Sequence, residues 1–256
     1  MLGVLELARC LLNKIAFSEE ERYLIISVAI CHDMGHSPFS HSTENVYRKL
    51  NPAIDHKAVL EIVLLDNSMG VSKVLTDFNI DVSKVISISI GIDNNLSWIF
   101  HNPINIDTLD GMQRFLLSFR LPPPFNARQA VESVASLFLG NRNLSKREVE
   151  NLDNFWRVKG AFYDQFLQRG KYAEFERAYM SFLTSKKKFI DAGDYLKRDN
   201  ELAEEIGLLP SLGAEGFSVP SKTDMHQAAR FHIDSSVKLH SIADLYVRYG
   251  RGKGAK

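Results

Sequence analysis

Residues 31–44 read Cys31-His32-Asp33-Met34-Gly35-His36-Ser37-Pro38-Phe39-Ser40-His41-Ser42-Thr43-Glu44. Fourteen positions thus hold a His-Asp dipeptide, two further histidines and a glutamate. The stretch follows an apolar run, Tyr23 to Ile30, that reads as a buried helix. A helix ending in adjacent imidazole and carboxylate groups can offer a divalent metal one nitrogen and one oxygen ligand. Gly35 and Pro38 break the helix, so the later histidines are expected on a turn and a short following helix. Groups placed there can serve as proton donors or phosphate contacts.

Helical spacing dominates the flanks. Val4, Leu5, Ala8, Leu11, Leu12 and Ile15 form an apolar stripe over Leu2–Ile15. Ser18 and Glu21 fit a capping box opening the helix that runs to about Cys31. Asp55 and His56 precede the apolar run Val59–Leu65, another helix. Val82–Ile92 is rich in valine and isoleucine alternating with serine, which suits a strand by propensity. No partner strand is evident, and Asp81 can cap a helix, so helix is expected. Thr108–Leu121 is helical and Pro122-Pro123-Pro124 stops it. Helices are expected at Ala127–Leu139, Lys146–Leu167 (with a second capping box at Ser145 and Glu148) and Lys171–Leu183. Gly207–Ser221 reads as a loop, Phe231–Tyr249 as helix or strand plus helix, and Arg248–Lys256 as a solvated basic tail. The expected fold class is all-α.

Composition is that of an ordinary globular chain of 256 residues, 45% hydrophobic and 24% charged. Thirty-one basic and 31 acidic side chains balance to a formal charge of zero. That argues against a general nucleic-acid or membrane-surface binder, while a local basic pocket remains allowed. No apolar run approaches the length of a membrane span. Met1–Leu12 lacks the basic start of a secretory signal, and Cys10 and Cys31 sit inside apolar helical patterns. Reduced thiols and a cytoplasmic location are expected.

The segment His32-Asp33-x-Gly35-His36-x-Pro38-Phe39-Ser40-His41 resembles the signature of the HD superfamily of metal-dependent phosphohydrolases. In its longer form it looks most like the deoxynucleoside triphosphate triphosphohydrolase branch, which includes the dGTPases. The resemblance covers roughly residues 2–120. It implies an HD-type helical core over 1–121, with 122–256 forming a further helical region.

The resemblance also implies a site. The family's ligand pattern is a histidine, the His-Asp pair and a distant aspartate opening a helix in an Asp-x-x-Asp motif. His32, Asp33 and Asp107 match the last three, with Asp110 one helical turn further on as a supporting group. Asp107 also suits a plain helix N-cap, and the two roles are compatible. The first histidine is absent and would fall one residue before Met1, so the sequence reads as cut at that ligand. His36, His41, Glu44 and His56 stand where relatives carry catalytic or phosphate-contacting groups. His41 or His36 is the expected proton donor, oriented by Glu44; for His56 a solvent-facing helix start is the alternative.

The implied cofactor is a divalent ion: manganese, iron, magnesium, nickel or zinc. The implied partner is a nucleotide or other phosphate-ester substrate, and a homo-oligomer is left open. In triphosphohydrolase relatives the last aspartate is followed by a lysine, then a tyrosine four residues on and an Arg-Asp pair. Here those places hold Thr108, Gly111, Arg114 and Phe115, so Arg114, with Asp110, is the substrate-side candidate. These departures leave a rival reading: a catalytically silent HD protein that binds a nucleotide or another protein.

Overall fold

The computed structural model describes residues 2–40, 44, 47–49, 51–93, 95–139, 144–162, 165, 195–199 and 201. Among them every regular element is helical, as the all-α expectation requires. In chain order the helices are α1 (Leu2–Lys14), α2 (Glu19–Cys31), α3 (His56–Leu65), α4 (Val71–Asp77), α5 (Val82–Ser89), α6 (Trp98–His101), α7 (Ile106–Ser118), α8 (Ala127–Phe138) and α9 (Lys146–Ala161). A single 3-10 turn, Asn67–Met69, lies between α3 and α4.

Helix starts follow from side-chain caps. Ser18 accepts from the Glu21 N–H while Glu21 reaches back to the Ser18 N–H at 2.8 Å. Ser145 and Glu148 repeat the device at α9. Asp81 caps α5 through the N–H groups of Ser83 and Lys84, so the valine-rich run is a helix and not a strand. That helix ends at Ser89, short of the expected Ile92, because Gly91 turns left-handed at φ 83°. The Ile92 N–H then returns to the Ser87 carbonyl at 2.9 Å.

Helix α7 begins earlier than the apolar pattern suggests and ends before Leu121. Asn105 caps it in a reciprocal box with Thr108. At its other end Arg120 adopts φ 58° and the Leu121 N–H closes on the Leu116 carbonyl, so the helix ends at Ser118, ahead of the proline run. The expected helix over 146–167 is described to Ala161. The expectations for 171–183, 207–221 and 231–249, and for the basic tail, fall outside the described residues.

Helix α1 is the hub. It packs against α2, α7 and α8, while α2 leans on α5 and α8 on α9. One apolar cluster runs from Val4 to Val158, crossing the proline run at 122–124. Trp156, Phe155, Leu11 and Ile25 are among its fully buried members. Burying such side chains is the main favourable term in folding. Cys10 and Cys31 are free thiols, and burial pushes the Cys31 thiol up. Among the described residues no helix is long and apolar enough to cross a membrane.

Candidate metal centre

The His-Asp pair leaves α2 at its C-terminal end. His32 is the residue that closes the helix, its N–H still bonded to the Val28 carbonyl. The turn that follows must press flat on α3. A Cβ at Gly35 would collide with the His56 carbonyl and the Leu60 backbone, so only glycine permits this approach. The short helix expected after that turn is described only in part, at Glu44 and residues 47–49.

Asp107 arrives from the other side, in the first turn of α7. It is not the N-cap; Asn105 holds that place through the Thr108 N–H at 2.7 Å. The carboxylate is therefore spared from capping and can face His32. The His32 Nε2 lies 3.3 Å from Asp33 Oδ1 and 3.5 Å from Asp107 Oδ1. One ligand atom from each of the three residues falls within 4.8 Å of the others.

These separations are too long for good hydrogen bonds. They are the spacing expected of neighbouring ligands around one ion at about 2.1 Å from each. Both ring nitrogens of His32 are buried without a hydrogen-bond partner. An orphaned, buried imidazole flanked by two carboxylates is costly to leave empty and natural beside a cation. The residues present thus fit a divalent metal. Burial pulls the His32 imidazolium down, but the Asp107 carboxylate and the Asp33 charge, helped by the Ala29 carbonyl, outweigh it and raise its pKa. The Ala29 carbonyl favours the charged ring without meeting hydrogen-bond geometry.

A second group of residues adjoins the first. His36 places Nε2 3.5 Å from Asp33 Oδ1 and stacks on the His56 ring at 5.0 Å. His56 opens α3, as the solvent-facing alternative supposed, yet its side chain is only 28% exposed. Its Nδ1 and Glu44 Oε1 are 2.6 Å apart. Glu44 therefore reaches His56, twelve residues further along the chain, a pairing additional to the one expected with His41 or His36. His41 lies outside the described residues.

Asp110 and Arg114 stand apart from this cluster. Arg114 Nε donates to Asp110 Oδ2 at 2.7 Å along α7. The Asp110 carboxylate is buried against α1, where a Cβ at Gly3 would strike it. Phe115 packs edge-on against Phe119 and Phe162, so it belongs to the apolar interior. A cleft of about 560 Å³ lined by Arg128, Arg147, Gln113 and Asn154, among others, includes none of the metal-centre residues.

Two contributors went unnoticed in the sequence. Tyr195 is fully buried with its ring 4.9 Å from that of Tyr47. Burial, seconded by the Glu44 charge, pushes its phenol up to about 12. Asp199 accepts from the Phe39 N–H at 2.8 Å. The signal for them was present: counting from Asp191, Tyr195 stands four residues on, and Arg198-Asp199 supply the Arg-Asp pair sought in vain after Asp107. Ala192 takes the place of the lysine, and residues 191–194 lie outside the described ones.

Residues 1–86 match the family model of the HD domain, the domain of the metal-dependent phosphohydrolase superfamily. The chain is also similar to an uncharacterized protein, YwfO, of Bacillus subtilis (strain 168), with 32% identity over 121 residues. That match takes in 44% of this chain but 27% of the relative, so the chain spans well under two thirds of it.

Proposed function

We propose that this HD-domain chain is a metal-dependent phosphohydrolase that cleaves a (deoxy)nucleotide phosphate ester. The observation that carries the reading is the trio His32, Asp33 and Asp107, with ligand atoms within 4.8 Å of one another, around a buried imidazole that has no hydrogen-bond partner. A divalent cation held there would acidify a bound water and polarise a phosphoryl oxygen.

The chain's own groups handle the proton. With Nδ1 donating to Glu44, His56 keeps Nε2 for the leaving oxygen, and the carboxylate steadies the ring as it changes charge. His36, stacked on His56 and close to Asp33, links that donor to the metal side; His41 remains a further candidate donor. On the substrate side, Asp199 and Arg198 are exposed and Asp199 binds the histidine loop. They suit sugar or phosphate contacts better than Arg114, whose partner is Asp110.

The silent-module reading draws on Thr108, Gly111 and Phe115, which depart from the triphosphohydrolase pattern. A panel of nucleoside and deoxynucleoside phosphates, assayed with Mn²⁺ against wild type and Asp33→Ala, separates the two. Metal-dependent hydrolysis that vanishes in the variant supports the enzyme. Nucleotide binding without hydrolysis by wild type supports the module, and full activity in Asp33→Ala overturns the metal reading.

A further inference from the structure

Lys159 is a charged residue in the wrong kind of place. It lies on α9, beyond the matched residues 1–86, and only 7% of it is exposed. Its ammonium sits 5.3 Å from the Trp156 ring centroid and 5.7 Å from that of Phe155. No ion pair holds it among the described residues. Burying an unpaired ammonium is expensive, and an apolar side chain of similar volume would pack the same space at less cost.

Its hydrogen bond among the described residues is informative. Nζ donates to the Pro103 carbonyl at 2.8 Å. Pro103 lies in the turn that delivers Asp107. The turn is tied from within as well: Asn105 Nδ2 donates to the Asn102 carbonyl at 2.7 Å, and Asn105 caps α7 through Thr108. Lys159 is the tie from outside, reaching the turn from another helix. Ligand separations of 3.3 and 3.5 Å about His32 leave little tolerance for a shift of that turn.

We propose that Lys159 is a positioning residue for the metal centre, pinning the 102–105 turn so that Asp107 meets His32 and Asp33. This rests on the reading of Asp107 as a metal ligand. The ammonium also adds positive charge on Asp107's side: burial pushes Lys159 down to about 8, and the Asp107 charge is what opposes the fall. Asp107 and the residue that positions it thus both come from helices beyond the family match, while His32 and Asp33 lie within it.

The test is Mn²⁺ titration calorimetry on the full chain, stripped with chelator, at pH 7. Wild type is compared with Lys159→Met, Lys159→Gln and Asp107→Ala, and thermal unfolding of each metal-free protein is recorded. The proposal expects Lys159→Met to weaken Mn²⁺ binding by roughly 10- to 100-fold while its metal-free Tm stays level or rises. Lys159→Gln, which keeps a polar group, is read beside it, so poor folding of the methionine variant leaves the comparison intact. Mn²⁺ affinity within twofold of wild type in the lysine variants, with none in Asp107→Ala, overturns the proposal alone. Wild-type affinity in Asp107→Ala overturns the ligand reading and the proposal with it.

Discussion

The two halves of the site are built differently. His32, Asp33 and Asp107 sit at the ends of regular helices, α2 and α7, whose caps and buried faces fix them. His36, Glu44 and His56 are gathered around a loop in which Phe39 and Ser40 both take left-handed conformations, at φ 59° and 48°. Neither is glycine, and consecutive left-handed residues of this kind hold only where the surroundings over-determine them. Here the hold comes from a distance, through the Asp199 carboxylate on the Phe39 N–H. The metal half is set on the ends of regular helices; the proton half is held on a strained loop. That division fits a centre in which charge must be fixed and a proton donor must approach a variable substrate.

The contrast can be broken most sharply at the metal half. Asp33→Ala is expected to abolish both metal binding and hydrolysis while the far-ultraviolet circular dichroism stays fully helical. Retained hydrolysis would remove the metal half from the chemistry.

Next comes the proton half. Glu44→Gln keeps the shape of the pair with His56 but removes the charge that steadies the imidazolium. Metal content should be unchanged and kcat should fall by about 10²-fold, the lower range for general acid–base groups. A parallel loss of metal would show the two halves to be one unit.

How much of this was legible in sequence follows the same division. The helix starts at Ser18, Asp81 and Ser145 could be read because a cap is written in neighbouring residues. His32 and Asp33 could be read because both belong to one short motif. The Glu44–His56 pair could not, since only the packing of α3 on the Gly35 turn brings it together. Lys159 was out of reach for the same reason, since it acts on a backbone group far away in the chain, at Pro103; Asp199 carried a signal in the Arg198-Asp199 pair, but its contact with the Phe39 N–H did not. Capping by Asn105 was obscured by Asp107, an equally good cap by type, and only the geometry assigns the two roles.

Smaller effects sharpen the comparison. Asp199→Ala strips the partner from the Phe39 N–H and should cost about 1 kcal/mol of stability, with kcat reduced and Mn²⁺ affinity unchanged. Urea unfolding alongside calorimetry reads both. A fall in Mn²⁺ affinity would mean the strained loop also supports the ligands.

The smallest is a pH effect. The folded pKa of Lys159 lies near 8, against 10.5 for a free lysine. Between those values the unfolded chain binds more protons than the folded one, so this residue's contribution to stability rises with pH across that window. Below it the cost of the buried charge is fully present; above it the cost is gone. In metal-free protein, the stability of wild type relative to Lys159→Met should therefore improve from pH 8 to 10.5, read by urea unfolding at each pH. A flat difference would mean Lys159 is not held as a buried cation.

The most direct test is metal content by elemental analysis of the purified full chain, beside His32→Ala. One divalent ion per chain in wild type and none in the variant is the predicted result. Equal metal in both proteins, or none in wild type after loading with Mn²⁺, would contradict a centre built on His32, Asp33 and Asp107.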